Sequence, residues 1–128
     1  MSSEEMNKFL ESIGGLENGW RRDYGAIVDS GFFSIGKGWY QIVKDLIEDL
    51  IELGWDKQVV QVKEKFGGLR FYINEGSREI HDRISEAGKL SHETCEICGK
   101  QGEMRTDIGW YSTLCNKHYE ERKSNIQR

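Results

Sequence analysis

Residues 95–118 read CEICGKQGEMRTDIGWYSTLCNKH and contain a C-x2-C-x16-C-x2-H pattern. The pattern uses all three cysteines of the chain and one of its three histidines. Zinc prefers four sulfur or imidazole ligands arranged as a tetrahedron, and a two-residue spacer lets both members of a pair reach one ion. The spacing therefore predicts a structural zinc site formed by Cys95, Cys98, Cys115 and His118.

Other uses of these cysteines explain the pattern less well. A disulfide between Cys95 and Cys98 would leave Cys115 and His118 without a role, and three cysteines cannot pair completely. A redox C-x-x-C motif normally opens a helix, whereas glycine follows this one and favours a turn. His92 stays open as a competing fourth ligand, although its spacing to the cysteines is less regular.

The composition is that of a small acidic protein. Its 128 residues fit one domain with a modest core and a module held together by metal. The formal net charge of −4 predicts no global attraction to nucleic acid, so only a local basic patch would bind it. No apolar run approaches the roughly 20 residues that span a bilayer, and the first residues lack the features of a signal peptide. Free thiols and zinc suit a reducing compartment, so we expect a cytoplasmic protein.

Apolar side chains recur at helical spacing in three segments, residues 3–13, 39–53 and 77–90. The second segment is the clearest, and Gly54 follows it as a helix-ending residue. Its predicted inward face consists of Trp39, Ile42, Val43, Leu46, Ile47, Leu50 and Ile51. We expect a further short helix in the tail after Tyr119.

Residues 58–74, QVVQVKEKFGGLRFYIN, predict a β-hairpin that turns at the Gly-Gly pair. Two glycines supply the positive φ angles of a two-residue type I′ turn. This register places Lys65 opposite Arg70 and Lys63 opposite Tyr72. One face would carry the apolar side chains, with Glu64 as the exception, namely Val60, Val62, Phe66, Leu69, Phe71 and Ile73.

These elements predict an α+β protein, in which a body of helix, β-hairpin and helix precedes a C-terminal zinc ribbon or knuckle. We expect the body to cover residues 1–91. Its N-terminal part, 1–37, is hard to interpret, because the stretch from Gly19 to Gly38 shows no sustained periodicity and the role of residues 14–37 stays open. The zinc-binding knuckle and tail are expected over residues 92–128, packed on the same unit.

The hairpin concentrates positive charge on one face. Like charges that oppose each other across two strands are destabilising, so Lys65 and Arg70 predict something negative nearby. Two explanations stay open. The acidic face of the preceding helix would neutralise the hairpin internally. Alternatively, Arg70 grips a phosphate or carboxylate through two hydrogen bonds, Lys63 and Lys65 add charge, and the ring of Tyr72 stacks on the ligand.

The sequence offers little for catalysis. It contains no nucleophile elbow, no phosphate-binding loop and no metalloprotease motif, and four protein ligands leave no open position on zinc. Glu64 on the apolar face is the single hint of an acid or base in a pocket. Trp110 is open to two roles, packing against the knuckle or stacking with a base. We therefore predict no catalytic residues, and an enzyme is the least favoured interpretation.

Four stretches, QVKEKFGGLRFY, TCEICG, GWYSTLCNKH and GWYQIV, resemble those of a widespread family of small, uncharacterised bacterial and phage proteins. That family shares a V-K-E-K-F-G-G-L-R-F-Y hairpin and a C-terminal zinc knuckle, and the resemblance covers residues 38–118. It implies that hairpin and knuckle belong to one unit. It also implies a role in conflict between phage and host, such as sequestration of a ligand or inhibition of a host protein.

The leading hypothesis from the sequence is a binding protein whose zinc module braces the basic hairpin. The partner would be an anionic, nucleotide-type small molecule or an acidic protein surface. The predicted ligand-binding residues are Lys63, Lys65, Arg70, Tyr72 and Trp110. Binding of nucleic acid is the alternative, in which Arg105 and Lys117 would assist the hairpin and affinity would fall steeply with salt.

Overall fold

The computed structural model describes residues 1–13, 28 and 33–126. Within them the chain forms four α-helices, two small sheets and a Cys/His cluster near the C-terminal end, which confirms the predicted α+β class. Most of the stretch from Gly19 to Gly38, which shows no sustained periodicity, lies outside the described residues. None of the described helices has the length and apolar character that crossing a membrane requires.

Helix α1, Ser3–Ser12, begins at a capping box. The Ser2 hydroxyl accepts the Glu5 backbone N–H at 3.1 Å, and the Glu5 carboxylate accepts the Ser2 N–H at the same distance. Met6 and Leu10 lie one turn apart on its inner face and are fully buried. Helix α1 therefore adds one apolar stripe to the main core.

Helix α2, Tyr40–Glu52, follows a short 3-10 turn over Lys37–Trp39. Its predicted inward face is confirmed, because every predicted residue is buried except Ile51, which is half-buried. Gly54 has a φ angle of 88°, which glycine adopts without strain, and ends the helix as predicted.

The main sheet has the strand order β1-β2-β3. Strand β1, Phe33–Ser34, runs parallel to β2, Val59–Lys65, and β2 pairs in antiparallel fashion with β3, Gly68–Ile73. The predicted hairpin is thus present. The sequence did not predict β1, because two residues are too few to show an alternating pattern.

The hairpin turns one residue earlier than predicted. The loop is Phe66-Gly67, with φ angles of 53° and 81°, and not the Gly-Gly pair. Two contacts hold this loop. The Glu64 carboxylate accepts the Gly67 N–H at 2.7 Å, and the Thr113 hydroxyl donates to the Gly67 carbonyl at 2.7 Å.

The predicted strand register is consequently wrong. Lys63, not Lys65, lies opposite Arg70, and Tyr72 lies opposite Gln61. Moving the loop by one residue moves the register by two, and side chains alternate with a period of two. The basic side chains therefore keep the face that was predicted for them, and only their cross-strand partners change.

Two apolar side chains of the hairpin leave the predicted inner face. Val62, Leu69 and Phe71 are buried, but an irregularity between Val59 and Gln61 turns Val59 inward and leaves Val60 56% exposed. Phe66 sits in the turn and is 64% exposed.

Helix α3, Arg78–Ser91, packs against both α2 and β3. The Ser77 hydroxyl accepts the Ile80 N–H at 3.3 Å and caps the helix. At the other end the Ser91 hydroxyl accepts the Leu69 N–H at 2.9 Å. This buried bond fixes the start of β3 against the end of α3.

The described C-terminal region, residues 92–126, comprises a second sheet and a helix, and we call it the knuckle. Strands β4, Glu103–Arg105, and β5, Ser112–Leu114, pair in antiparallel fashion, and helix α4 covers Asn116–Ile126. The predicted tail helix therefore begins earlier than Tyr119. The buried hydrophobic cluster of the knuckle is small and consists of Cys95, Ile108 and Leu114, while Ser112 and Thr113 of β5 are buried polar residues.

Contacts at the start of α2 join the knuckle to the body. The Trp39 indole N–H donates to the Thr94 carbonyl at 2.8 Å, and the Gly38 N–H donates to the Glu96 carbonyl at 2.8 Å. A methyl group added at Gly38 would overlap the Cys95 carbonyl oxygen, so only glycine permits this close approach.

Candidate metal centre and basic cleft

The four predicted metal ligands meet at one point in the knuckle. Cys95 and Cys98 lie in the turn after α3, Cys115 follows β5, and His118 lies in the first turn of α4. Their three sulfurs and one ring nitrogen lie within 4.8 Å of one another. These residues are therefore positioned to hold a metal ion.

Two of the distances between the ligand atoms match the edges of a tetrahedral zinc site, and the third, 3.2 Å, is shorter. The Cys98 and Cys115 sulfurs are 3.8 Å apart, and the His118 Nδ1 atom lies 3.2 Å from the Cys115 sulfur and 3.6 Å from the Cys95 sulfur. Zinc bonds of ~2.3 Å to sulfur and ~2.1 Å to nitrogen imply edges of about 3.8 Å and about 3.6 Å. The donor set and its spacing are consistent with zinc.

Backbone hydrogen bonds shape the turn that presents the first two cysteines. The Cys95 N–H donates to the Lys100 carbonyl at 2.7 Å, and the Gly99 N–H donates to the Cys95 carbonyl at 2.9 Å. Gly99 has a φ angle of 81°, which glycine adopts readily. The first C-x-x-C pair therefore lies in a turn, as predicted, and does not open a helix.

The second pair of ligands favours the ionised thiol. The His118 backbone N–H donates to the Cys115 sulfur and is the main reason why the pKa of Cys115 is lowered to about 6. The lowered pKa favours the thiolate, which is the form of cysteine that binds metal.

Arg105 holds the second half of the metal cluster in place. Its guanidinium donates to the Leu114 carbonyl at 3.1 and 3.2 Å and to the Asn116 side chain at 2.8 Å. It also lies 4.3 Å from the centre of the Tyr119 ring. The same Arg105 was a predicted nucleic-acid contact, yet its side chain is fully engaged within the knuckle.

His92 does not belong to the metal cluster, so its role as a competing fourth ligand is ruled out in this structure. Its ring lies instead against β3, where a methyl group at Gly68 would come within 2.7 Å of the His92 Cε1 atom. Because Gly68 has no side chain, the exposed imidazole of His92 fits against the strand.

A cleft of about 420 Å³ lies between β3 and α3. This volume is within the range of roughly 300–1,000 Å³ that is typical of small-molecule sites. None of its described lining residues is a carboxylate. Five polar or charged side chains line it, namely Arg70, Tyr72, Ser85, Lys89 and His92. The cleft is therefore suited to an anion.

The structure separates the predicted ligand-binding residues into two groups. Arg70 and Tyr72 line the cleft, and Lys63 adjoins it, since its Nζ atom lies 5.9 Å from the centre of the Tyr72 ring. Lys65 lies near the turn, with its Nζ atom 5.6 Å from the centre of the Phe66 ring. Trp110 is distant in the fold, half exposed on the knuckle beneath the guanidinium of Arg122.

The acidic side chains of α2 do not pair with the hairpin. Glu48 binds Lys44 at 3.1 Å on the same helix, and Asp49 binds Arg83 of α3 at 2.7 Å. Among the residues that the structure describes, no carboxylate forms an ion pair with the basic side chains of the hairpin. Direct internal neutralisation, one of the two explanations left open by the sequence, is therefore not observed.

Glu64, the single hint of an acid or base, has a structural role, because its carboxylate caps the hairpin turn at Gly67. The nearby carboxyl group of Glu96 has a raised pKa, first because it is partly buried and second because the charge of Glu64 repels its ionised form. The Gly36 N–H partly opposes this shift by donating to Glu96. Neither carboxylate lines the cleft.

A larger hollow of about 620 Å³ lies where α2 ends and α3 begins. It contains the carboxylates of Asp56 and Glu75 and the imidazole of His81, but no lysine or arginine among its described lining residues. Like charge would repel an anion there. The smaller cleft is thus the better anion site.

Three residues of the cleft, Ser85, Lys89 and His92, were not predicted from the sequence. They lie on or just after the polar side of α3 and approach Arg70 only because α3 packs against β3. Local patterns carry no signal of this contact. No protein-family model, no curated protein and no solved structure matches the chain.

Proposed function

We propose that this chain is a non-catalytic binding protein with one structural zinc ion, and that the cleft between β3 and α3 takes an anionic, nucleotide-type ligand. An acidic protein surface is the related partner that the same charges would suit. One observation carries the proposal. Arg70, Lys89 and His92 converge on a cleft that contains no described carboxylate, although the whole chain carries a net charge of −4.

Four of the five polar or charged side chains of the cleft have a defined task in this proposal. The planar guanidinium of Arg70 binds phosphate oxygens through two parallel hydrogen bonds, and Lys89 adds a mobile point charge. The Ser85 hydroxyl donates a further hydrogen bond to the ligand. Tyr72, which is 40% exposed, offers its ring to an aromatic base.

The zinc ion has a supporting task. Three thiolates and one imidazole fill all four positions of a tetrahedral ion, so zinc would brace the knuckle and would bind no substrate. The bracing reaches the hairpin because Thr113, two residues before Cys115, donates to the carbonyl of Gly67. We further propose that the chain belongs to the family of small bacterial and phage proteins that it resembles, and acts by ligand sequestration or inhibition in phage–host conflict.

Calorimetric titration with thymidine 5′-monophosphate tests the ligand site. Arg70→Ala should weaken binding by about tenfold or more, because a charge-assisted hydrogen bond contributes roughly 1.5–3 kcal/mol. Arg83→Ala is the matched control. It also removes one arginine, but Arg83 lies on α3, pairs with Asp49 and does not line the cleft. Equal affinities of the two variants would contradict the proposal.

The metal assignment has its own measurement. Elemental analysis of freshly purified protein should find one zinc ion per chain, and Cys95→Ser should abolish its retention. A protein that carries no metal, or retains it without the Cys95 sulfur, would contradict the assignment.

A further inference from the structure

The turn of the hairpin displays an aromatic ring where the backbone favours a smaller residue. Phe66 has a positive φ angle of 53°, and its side chain is 64% exposed. Asparagine, aspartate and glycine adopt this conformation readily, whereas a bulky residue rarely does. Burial does not explain the strain, so the exposed ring itself is the feature to be explained.

A second exposed ring lies beside the first. The Tyr111 ring of the knuckle is 51% exposed, and its centre lies 6.4 Å from that of Phe66 in an edge-on arrangement. We call Phe66 and Tyr111 the tip pair. Because Thr113 anchors the turn to the knuckle, the two rings are held together by the fold as well as by their own contact.

The tip pair continues into the basic face of the hairpin. Lys65 shares that face with Lys63 and Arg70 by strand alternation, and its Nζ atom lies 5.6 Å from the Phe66 ring centre. Tyr72 closes the other end of the face. The strand from Gly68 to Tyr72 covers roughly 14 Å at ~3.4 Å per residue, which exceeds the length of one mononucleotide.

We infer that this surface binds single-stranded nucleic acid, with unpaired bases stacked on the tip pair and on Tyr72 and with phosphates on the lysines and Arg70 between them. The inference rests on the proposed function and extends it, because the anion cleft becomes one end of a longer site. Alternating aromatic and cationic groups are the features that bind single strands without sequence preference. Duplex DNA fits less well, since its bases are not free to stack.

The experiment compares two probes, a fluorescein-labelled twelve-nucleotide oligothymidylate and thymidine 5′-monophosphate, by anisotropy and by competition at low salt. The oligonucleotide should bind at least about tenfold more tightly. Phe66→Asn should reduce that ratio about fivefold or more. Asparagine suits the positive φ angle, so this variant folds while it loses the ring. Val60→Asn, which changes an exposed side chain away from the turn, should leave the ratio unchanged.

The outcomes distinguish failure of the single-strand inference from failure of the anion cleft. Equal affinity for the two probes, an unchanged ratio in Phe66→Asn, or equally tight binding of the corresponding duplex would overturn the single-strand inference and leave the anion cleft standing. Loss of both probes in Arg70→Ala supports the shared site. Absence of binding by either probe to the unmodified protein would overturn both proposals.

Discussion

The body and the knuckle are stabilised by different physical means. The body buries apolar side chains from α1, α2, α3 and the main sheet in one cluster. The buried apolar cluster of the knuckle consists of Cys95, Ile108 and Leu114, with Cys115 and Tyr119 packed against it. So small an apolar cluster cannot offset the conformational entropy lost on folding, whereas four metal bonds can. Under the proposed function, metal binding takes the place of apolar burial in the knuckle.

The two regions nevertheless share an interface that contains several hydrogen bonds. Backbone and indole hydrogen bonds join the start of α2 to the turn after α3, through Gly38 and Trp39. The hydroxyl of Thr113 joins β5 to the turn of the hairpin. Disorder of the knuckle would therefore reach the hairpin before it reaches the centre of the core.

Removal of the metal should destabilise the knuckle and leave the body folded, and we expect this effect to be the largest. Zinc contributes about 10–16 kcal/mol of binding free energy in small zinc-dependent folds, so a chelator should unfold the knuckle. Hydrogen exchange should show lost protection in β4, β5 and the hairpin turn, while the buried amides of α2 remain protected. Returning zinc should restore protection. Unchanged exchange in β5 after the metal has been removed would contradict the different origins of stability.

Gly38→Ala tests the interface and has the next largest effect. The added methyl group would meet the backbone of Cys95 and would lie 2.6 Å from the Glu96 carbonyl carbon, and backbone atoms cannot rotate away. Overpacking of this kind costs about 1–3 kcal/mol, which denaturant unfolding of the zinc-loaded protein would measure.

Gly88→Ala is the matched control for that interface. It lies within α3, and a methyl group there would come no closer than 3.8 Å to the Leu69 carbonyl oxygen. In a helix interior alanine is more favourable than glycine by about 1 kcal/mol, so this variant should be more stable than the unmodified protein. Equal behaviour of the two alanine variants would show that Gly38 is not a close junction.

The sequence identifies the metal site and the helices because both are encoded locally. The spacing of Cys95, Cys98, Cys115 and His118 fixes which atoms can meet, and the apolar period of α2 fixes its inner face. These expectations are confirmed within a residue or two.

The hairpin register depends on contacts that are not local. Gly-Gly and Phe-Gly are both possible loops, and propensity favours the first. The second is present because Glu64 and Thr113 bind the two sides of Gly67, and Thr113 is 46 residues away in sequence. The cleft could not be predicted from the sequence for the same reason, because Lys89 and His92 meet β3 only after α3 has packed.

Glu96 lies where the body meets the knuckle, and we expect its substitution to have the smallest effect on stability. Burial and the charge of Glu64 raise its pKa above the ordinary value of 4.5, so the folded state holds this proton more tightly than the unfolded state does. Stability should consequently fall as the pH rises through the folded-state pKa, and the ionised carboxylate is unfavourable at neutral pH.

Glu96→Gln removes that charge and keeps an oxygen that can accept the Gly36 N–H. The zinc-loaded variant should be more stable at pH 7, by less than about 1 kcal/mol, and the gain should shrink as the pH falls below the folded-state pKa of Glu96. Denaturant titrations at several pH values measure the trend. Glu93→Gln, an exposed carboxylate in the same segment, serves as the control. A gain that grows toward low pH would show that the Glu96 carboxylate stabilises the junction, and the two regions would then be joined partly by charge.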